Sequence, residues 1–187
     1  IKKIIPNANF VAVKNITGVD AKDATLVKNV LKLIDPASDV TFATGELSAK
    51  DANDIAKVIT TGKLTATIKD GGIAATLKAL SDIDGTLDDL TFKTTDTTAK
   101  ASDIVALDAL ILTPANLDLS KVKTITGTSA ETDAATGAIP AALTVLGVGT
   151  AVEVKITGTV DGADIKAIIN ATTGKVTATL AADTASN

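Results

Sequence analysis

Residues 60–68 read TTGKLTATI, and residues 172–180 read TTGKVTATL. A chain that writes nearly the same nine residues twice reads first as a repeat protein. In Leu64-Thr65-Ala66-Thr67-Ile68 apolar side chains alternate with threonines, the period of a strand with one buried face. Upstream of the first copy stand Asp54-Ile55 and Val58-Ile59. Upstream of the second stand Asp164-Ile165 and Ile168-Ile169, offset by two extra residues. Apolar positions at i, i+3 and i+4 make one stripe of a short helix. The module therefore reads as helix, TG turn, strand.

Other segments follow the template more loosely. Leu26, Val27, Val30, Leu31 and Leu33 form a helical stripe, then DPASD turns into Val40-Thr41-Phe42. Residues 73–80 lead through SDIDGT to Leu90-Thr91-Phe92, and residues 101–111 lead through TPAN to Leu117-Asp118-Leu119. Residues 139–146 lead through GVGT to a strand over 152–156. An earlier strand over 10–13 opens the series. Strand starts at Val40, Leu64, Leu90, Leu117, Val152 and Val176 stand roughly 24 to 35 residues apart, a solenoid period. Ser48, Asp51, Ser102 and Asp161 are placed to cap helices, and Gly62, Gly85 and Gly174 to turn the chain out of them. Residues 120–137 depart from the period, with a strand-like VKTIT and then GTSAETDAATG; they read as a longer repeat or a loop insertion.

Strands that follow helices at this length pair in parallel. The expected fold is α/β: a repeat solenoid of short helix–turn–strand modules with a parallel sheet. It forms one array over 1–187, with modules near 17–46, 47–70, 71–96, 97–128, 129–159 and 160–187. A compact α/β or β-solenoid-like domain is the alternative. A doubly wound sheet would need strands apolar on both faces, whereas these alternate with Thr, Asp, Glu or Lys. The array reading requires the strands at Leu64 and Val176 to share one sheet.

Composition narrows the chemistry. The chain has 187 residues, 45% hydrophobic, yet Phe10, Phe42 and Phe92 are its only aromatics. Its core must be built from Ala, Val, Ile and Leu, which suit thin regular layers. The formal charge is −4 and every cation is Lys, so neither a basic footprint nor Arg forks point to nucleic acid. No apolar run reaches the ~18 residues of a membrane span. The first residue is Ile, which reads as a processed form or a piece of something longer.

At ASDIVALDALI (101–111) and VKTITGT (122–128) the chain resembles the repeats of giant tandem-repeat surface proteins of aquatic bacteria, marine cyanobacteria among them. Those repeats pair an ASD-apolar-x-x-LD helix with a VTTITGT strand. DANDIAKVITTGKLTATI and GADIKAIINATTGKVTATL have the same character, so the likeness covers most of residues 45–182. The resemblance implies an extracellular, structural or adhesive (adhesin-like) role without enzyme activity. The glycine-rich calcium nonapeptides found elsewhere in such giants are missing here.

Candidate sites are few. Asp82, Asp84, Asp88 and Asp89 in SDIDGTLDD (81–89) offer hard oxygen ligands for calcium around Gly85. An EF-hand register fails, since it puts Leu80 first and Thr91 twelfth, and the competing reading is an Asp-Gly turn. Thr65/Thr67 and Thr177/Thr179 have the spacing of an ice-ordering ladder, but charged residues interrupt the row at Lys93, Asp118, Glu153 and Lys155. Without His or Cys there is neither a Ser-His-Asp triad nor a thiol nucleophile. Ser48/Lys50 and Ser120/Lys121 are the remaining dyads, and both read as solvated surface. The expectation is therefore a non-enzyme, a spacer or filament building block that stacks end to end. Its partners are copies of itself or adjacent repeats of a larger chain. A ligand-binding surface module for calcium or glycan is the second reading.

Overall fold

The computed structural model describes residues 13–34, 36–147 and 149–182. Nine strands alternate with six helices among them. In chain order they are β1 (Asn15–Asp20), α1 (Ala24–Leu31), β2 (Asp39–Thr44), α2 (Ala49–Ala56), β3 (Leu64–Ile68), α3 (Ile73–Ala79) and β4 (Asp89–Lys93). There follow β5 (Thr98–Lys100), α4 (Ala101–Leu110), β6 (Leu117–Asp118), β7 (Thr124–Thr128), α5 (Ala138–Leu146), β8 (Glu153–Val160), α6 (Gly162–Ala171) and β9 (Val176–Leu180). The expected strand over 10–13 lies outside the described residues except for Val13. Among the described residues no helix is long and apolar enough to cross a membrane.

The fold is α/β with parallel pairing, as the crossover argument requires. The strands fall into two sheets, however, ordered β1-β2-β3-β4-β6 and β5-β7-β8-β9. The first copy of the repeated phrase is β3 and the second is β9, so the expectation that they share one sheet is wrong. The chain leaves the first sheet between β4 and β5, returns for β6, and leaves again before β7. Two compact units result, one built on each sheet.

Although the copies lie apart, each holds the same local geometry. Val40 pairs with Leu64, and Val154 pairs with Val176. The amide of Val40 donates to the carbonyl of Lys63 and that of Val154 to Lys175, both at 2.8 Å. Gly62 lies against the backbone carbonyl of Ser38, Gly174 against that of Val152, and a Cβ at either would collide. Neither glycine is among those with positive φ. They are needed for close approach, not for the left-handed exit their position suggests.

Caps decide how the helices align. Ser48 accepts from the amide of Asp51, and Asp161 accepts from those of Ala163 and Asp164. Asp51 and Ser102, expected as caps, lie inside α2 and α4. Aligning the two true caps superposes Ile55 on Ile168, both fully buried. That alignment differs from the one drawn through Asp54-Ile55 and Asp164-Ile165, because the second helix is longer.

Each sheet buries one face. Val40, Leu64, Ala66, Ile68, Leu90 and Phe92 are buried in the first, and Ile125, Val154, Ile156 and Val160 in the second. The intervening Thr65, Thr67, Thr126 and Lys155 are partly or fully exposed, which is the pattern the alternation predicts and not that of a doubly wound sheet. Two strands escaped the sequence reading. β1 carries Gly18 and β5 is three residues long, so neither shows a clear alternation. Residues 129–137 form a loop closed by its own caps. Thr128 and Glu131 bond reciprocally across a short 3-10 turn, and Asp133 accepts from the amides of Ala135 and Thr136.

Gly62→Ala and Gly174→Ala should each destabilise the protein by about 2–3 kcal/mol, since the added methyl meets backbone that cannot swing away. Gly162→Ala, which meets open space at the start of α6, should be neutral or slightly stabilising. Chemical denaturation of the three variants checks this; equal losses at all three would contradict it.

Candidate functional site: the acidic loop at 81–89

The four carboxylates singled out in the sequence sit around the turn between α3 and β4. Asp82, Asp84 and Asp88 line a shallow pocket of about 270 Å³ together with Ala56, Ile59 and Gly62. Asp89 is not among its lining residues. Each carboxylate is held by a separate set of partners. Asp82 exchanges two hydrogen bonds with the Asn53 side chain, at 2.7 and 2.6 Å. Asp84 accepts from the amide and hydroxyl of Thr86, at 2.8 and 2.7 Å. Asp89 accepts from Lys63 Nζ at 3.2 Å and from Asn116 Nδ2 at 2.9 Å. Among the described residues no three acidic side chains converge into a metal-holding group.

Asp88 is the least ordinary of the four. Its side chain is buried, and its two oxygens accept from the amides of Leu64 and Asp84 at 2.8 and 3.0 Å. Burial pushes its pKa above the usual carboxylate range, and the two amide bonds only partly offset that. Asp84, by contrast, is held below the usual range by Thr86. A raised and a lowered carboxylate side by side can mark an acid–base pair. Here both Asp88 oxygens are occupied by main-chain donors, so the group braces backbone.

That role recurs, and sequence reasoning missed it. Asp39 accepts from the amide of Lys63, and Asp96 accepts from the amide of Ile73 at the start of α3. Asp70 accepts from the amide and hydroxyl of Thr95. Asp39, Asp70 and Asp88 each join one helix–strand module to the next, while Asp96 ties the far end of its module back to the start of α3, with partners 23 to 25 residues apart in every case. The spacing matches the strand period, which was the available signal. A carboxylate at a strand entrance, as at Asp39 and Asp88, or just past a strand end, as at Asp70 and Asp96, takes up a backbone donor that regular pairing leaves unmatched there.

The remaining candidates are similarly engaged. Ser48 Oγ bonds Asp51 while capping α2, and Lys50 Nζ bonds Asp54 at 2.8 Å. Ser120 donates its amide to Asp118. The threonine rows are mixed: Thr126 and Thr177 flank Lys155, and Thr124 faces Glu153.

Asp88→Ala leaves the buried amide of Leu64 without an acceptor and should cost about 2–4 kcal/mol. The pH dependence has a definite sign. Because the folded-state pKa of Asp88 is raised, its contribution is greatest when protonated and falls as pH rises through that pKa. The stability margin of the native chain over Asp88→Asn should therefore narrow from pH ~3 to pH ~7. A margin that widens would contradict burial as the cause. Comparison with known proteins finds no matching family model, no matching curated protein and no matching solved structure.

Proposed function

We propose that this chain is a structural domain of an extracellular repeat protein, a spacer, adhesive stalk or filament building block. The observation that carries the reading is the set of Asp brackets. Within residues 39–96 the acidic side chains that a binding or catalytic site would draw on instead brace the backbone within and between neighbouring helix–strand modules. The strand order supports a stacked, solenoid-like arrangement in narrower form than one continuous array. β1, β2, β3 and β4 lie side by side in chain order in one sheet, as do β7, β8 and β9 in the other. In such stacks each module needs cover from the next, and stability is shared between neighbours. The likeness of residues 101–128 to surface-protein repeats points the same way.

Gold-labelled antibody on intact source cells tests the reading. Label along fibres or a layer outside the cell is the expected result. Label confined to the cytoplasm would overturn it.

A further inference from the structure

Three side chains meet at the entrance of the first sheet. Lys63 stands just before β3, Asp89 opens β4, and Asn116 stands just before β6. These strands are neighbours in the order β3-β4-β6, so Asp89 lies between the other two. All three residues belong to one compact unit. One oxygen of Asp89 accepts from Lys63 Nζ at 3.2 Å, and the other accepts from Asn116 Nδ2 at 2.9 Å. An ionised carboxylate only accepts, so Asn116 must turn its amide nitrogen, not its oxygen, toward Asp89. A single group thus holds an amine and a carboxamide as neighbours.

Other lysine–aspartate pairs have a different third member. Besides Lys28, Asp51 bonds the Ser48 hydroxyl and Asp54 bonds Lys50. Asp118 bonds Lys93 and the amide of Ser120. None of those partners presents a side-chain acyl group to the amine. At Asp89 a nucleophile, a proton carrier and a leaving group occur together. Solvent reaches the Lys63 and Asp89 side chains, 39% and 27% exposed, and keeps any reaction between them slow. A reaction that happens once per molecule and releases its by-product needs no enzyme-like rate. Holding the reactants in place supplies the entropic part of the barrier in advance.

We propose that Lys63 and Asn116 form an intramolecular isopeptide bond, with Asp89 carrying the proton. Lys63 Nζ gives a proton to Asp89 and attacks Cγ of Asn116, its flexible stem letting it pass from the carboxylate to the carboxamide. Asp89 passes that proton to Nδ2, the atom it already touches, and the bond from Cγ to Nδ2 breaks. One C–N bond forms and one breaks. The nitrogen leaves as ammonium with the two protons that Nζ gives up, and no oxidant, metal or co-reactant enters. The bond ties β3 to β6 across β4 and closes a loop over residues 63–116, which removes freedom chiefly from the unfolded chain. A sheet pinned in this way suits the structural role proposed above, although the bond does not rest on that role.

Intact-mass spectrometry of the full chain, followed by proteolysis, tests the bond. The native protein should weigh less than its sequence by one ammonia and should yield a branched peptide joining Lys63 to Asn116. Lys63→Arg, which keeps the charge opposite Asp89 but loses the nucleophile, should have its full sequence mass. So should Asn116→Ala, which loses the acyl group, and Asp89→Ala, which keeps both reactants but loses the proton carrier. A native protein at its full sequence mass contradicts the proposal outright. A mass deficit that persists in any of the three variants does so too, as does a branch at Asp89 with loss of water instead of ammonia. None of these outcomes bears on where the protein sits on the cell, which the gold label decides separately.

Discussion

A strand that buries one face and follows its predecessor in parallel must be reached by a crossover, and the crossover must cover that face. In this chain each crossover is one short helix of seven to ten residues. So small a module has too little apolar surface to stand alone, and its neighbours complete it. The aliphatic composition suits this arrangement. Ala, Val, Ile and Leu fill thin layers between a helix and a sheet, where Trp or Tyr would need a deeper core and a polar partner. Phe42 and Phe92 are the largest side chains the inner face accepts, and both are buried in the first sheet.

Polar chemistry follows from the same constraint. Where a loop enters a strand, the backbone donors of the neighbouring module lack ladder partners. Asp39 and Asp88 supply acceptors at such entrances, and Asp70 and Asp96 do so just past the ends of β3 and β4. Thr172 does so with the opposite polarity, its hydroxyl lying 2.8 and 2.7 Å from the carbonyls of Thr150 and Val152. Several carboxylates that look like ligands in the sequence are thus engaged in main-chain bonding. The exposed ion pairs add little, because solvent screens them. Lys28 is the exception in kind. It bridges α1 to Asp51 and Asp54 of α2, and its hydrogen bond with Asp51 holds that carboxylate below its usual range.

Much of the fold was legible because alternation and helical stripes are local signals. Six of the strands begin at or within one residue of Val40, Leu64, Leu90, Leu117, Val152 and Val176. What stayed hidden depends on partners distant in sequence. No local pattern states that β4 and β5 belong to different sheets, since the three residues of β5 are too few to carry a readable alternation. Leu26 reads as part of a buried stripe, yet α1 buries Ala24, Val27 and Leu31 and leaves Leu26 exposed. Asp88 and Asp89 are adjacent and alike in sequence. One is buried against the amide of Leu64 while the other reaches Lys63 and Asn116, because the β4 entrance points them to opposite sides. ITG recurs at 16–18, 125–127 and 156–158, a further repeat signature carried on β1, β7 and β8. At two of these places the glycine has positive φ and the pairing shifts register, which hides β1 and the far half of β8 from a search for strict alternation.

The dependence of each module on its neighbour is open to direct measurement, because among the described residues the same phrase occurs once between two strands and once beside a single one. Native-state hydrogen exchange can compare the amides of β3 with those of β9, residue by residue. Slow exchange throughout β3, with fast exchange at alternate amides of β9 in the monomeric protein, is the predicted outcome. Uniformly slow exchange along both strands would mean that a neighbour is not what protects them, and the account would fail.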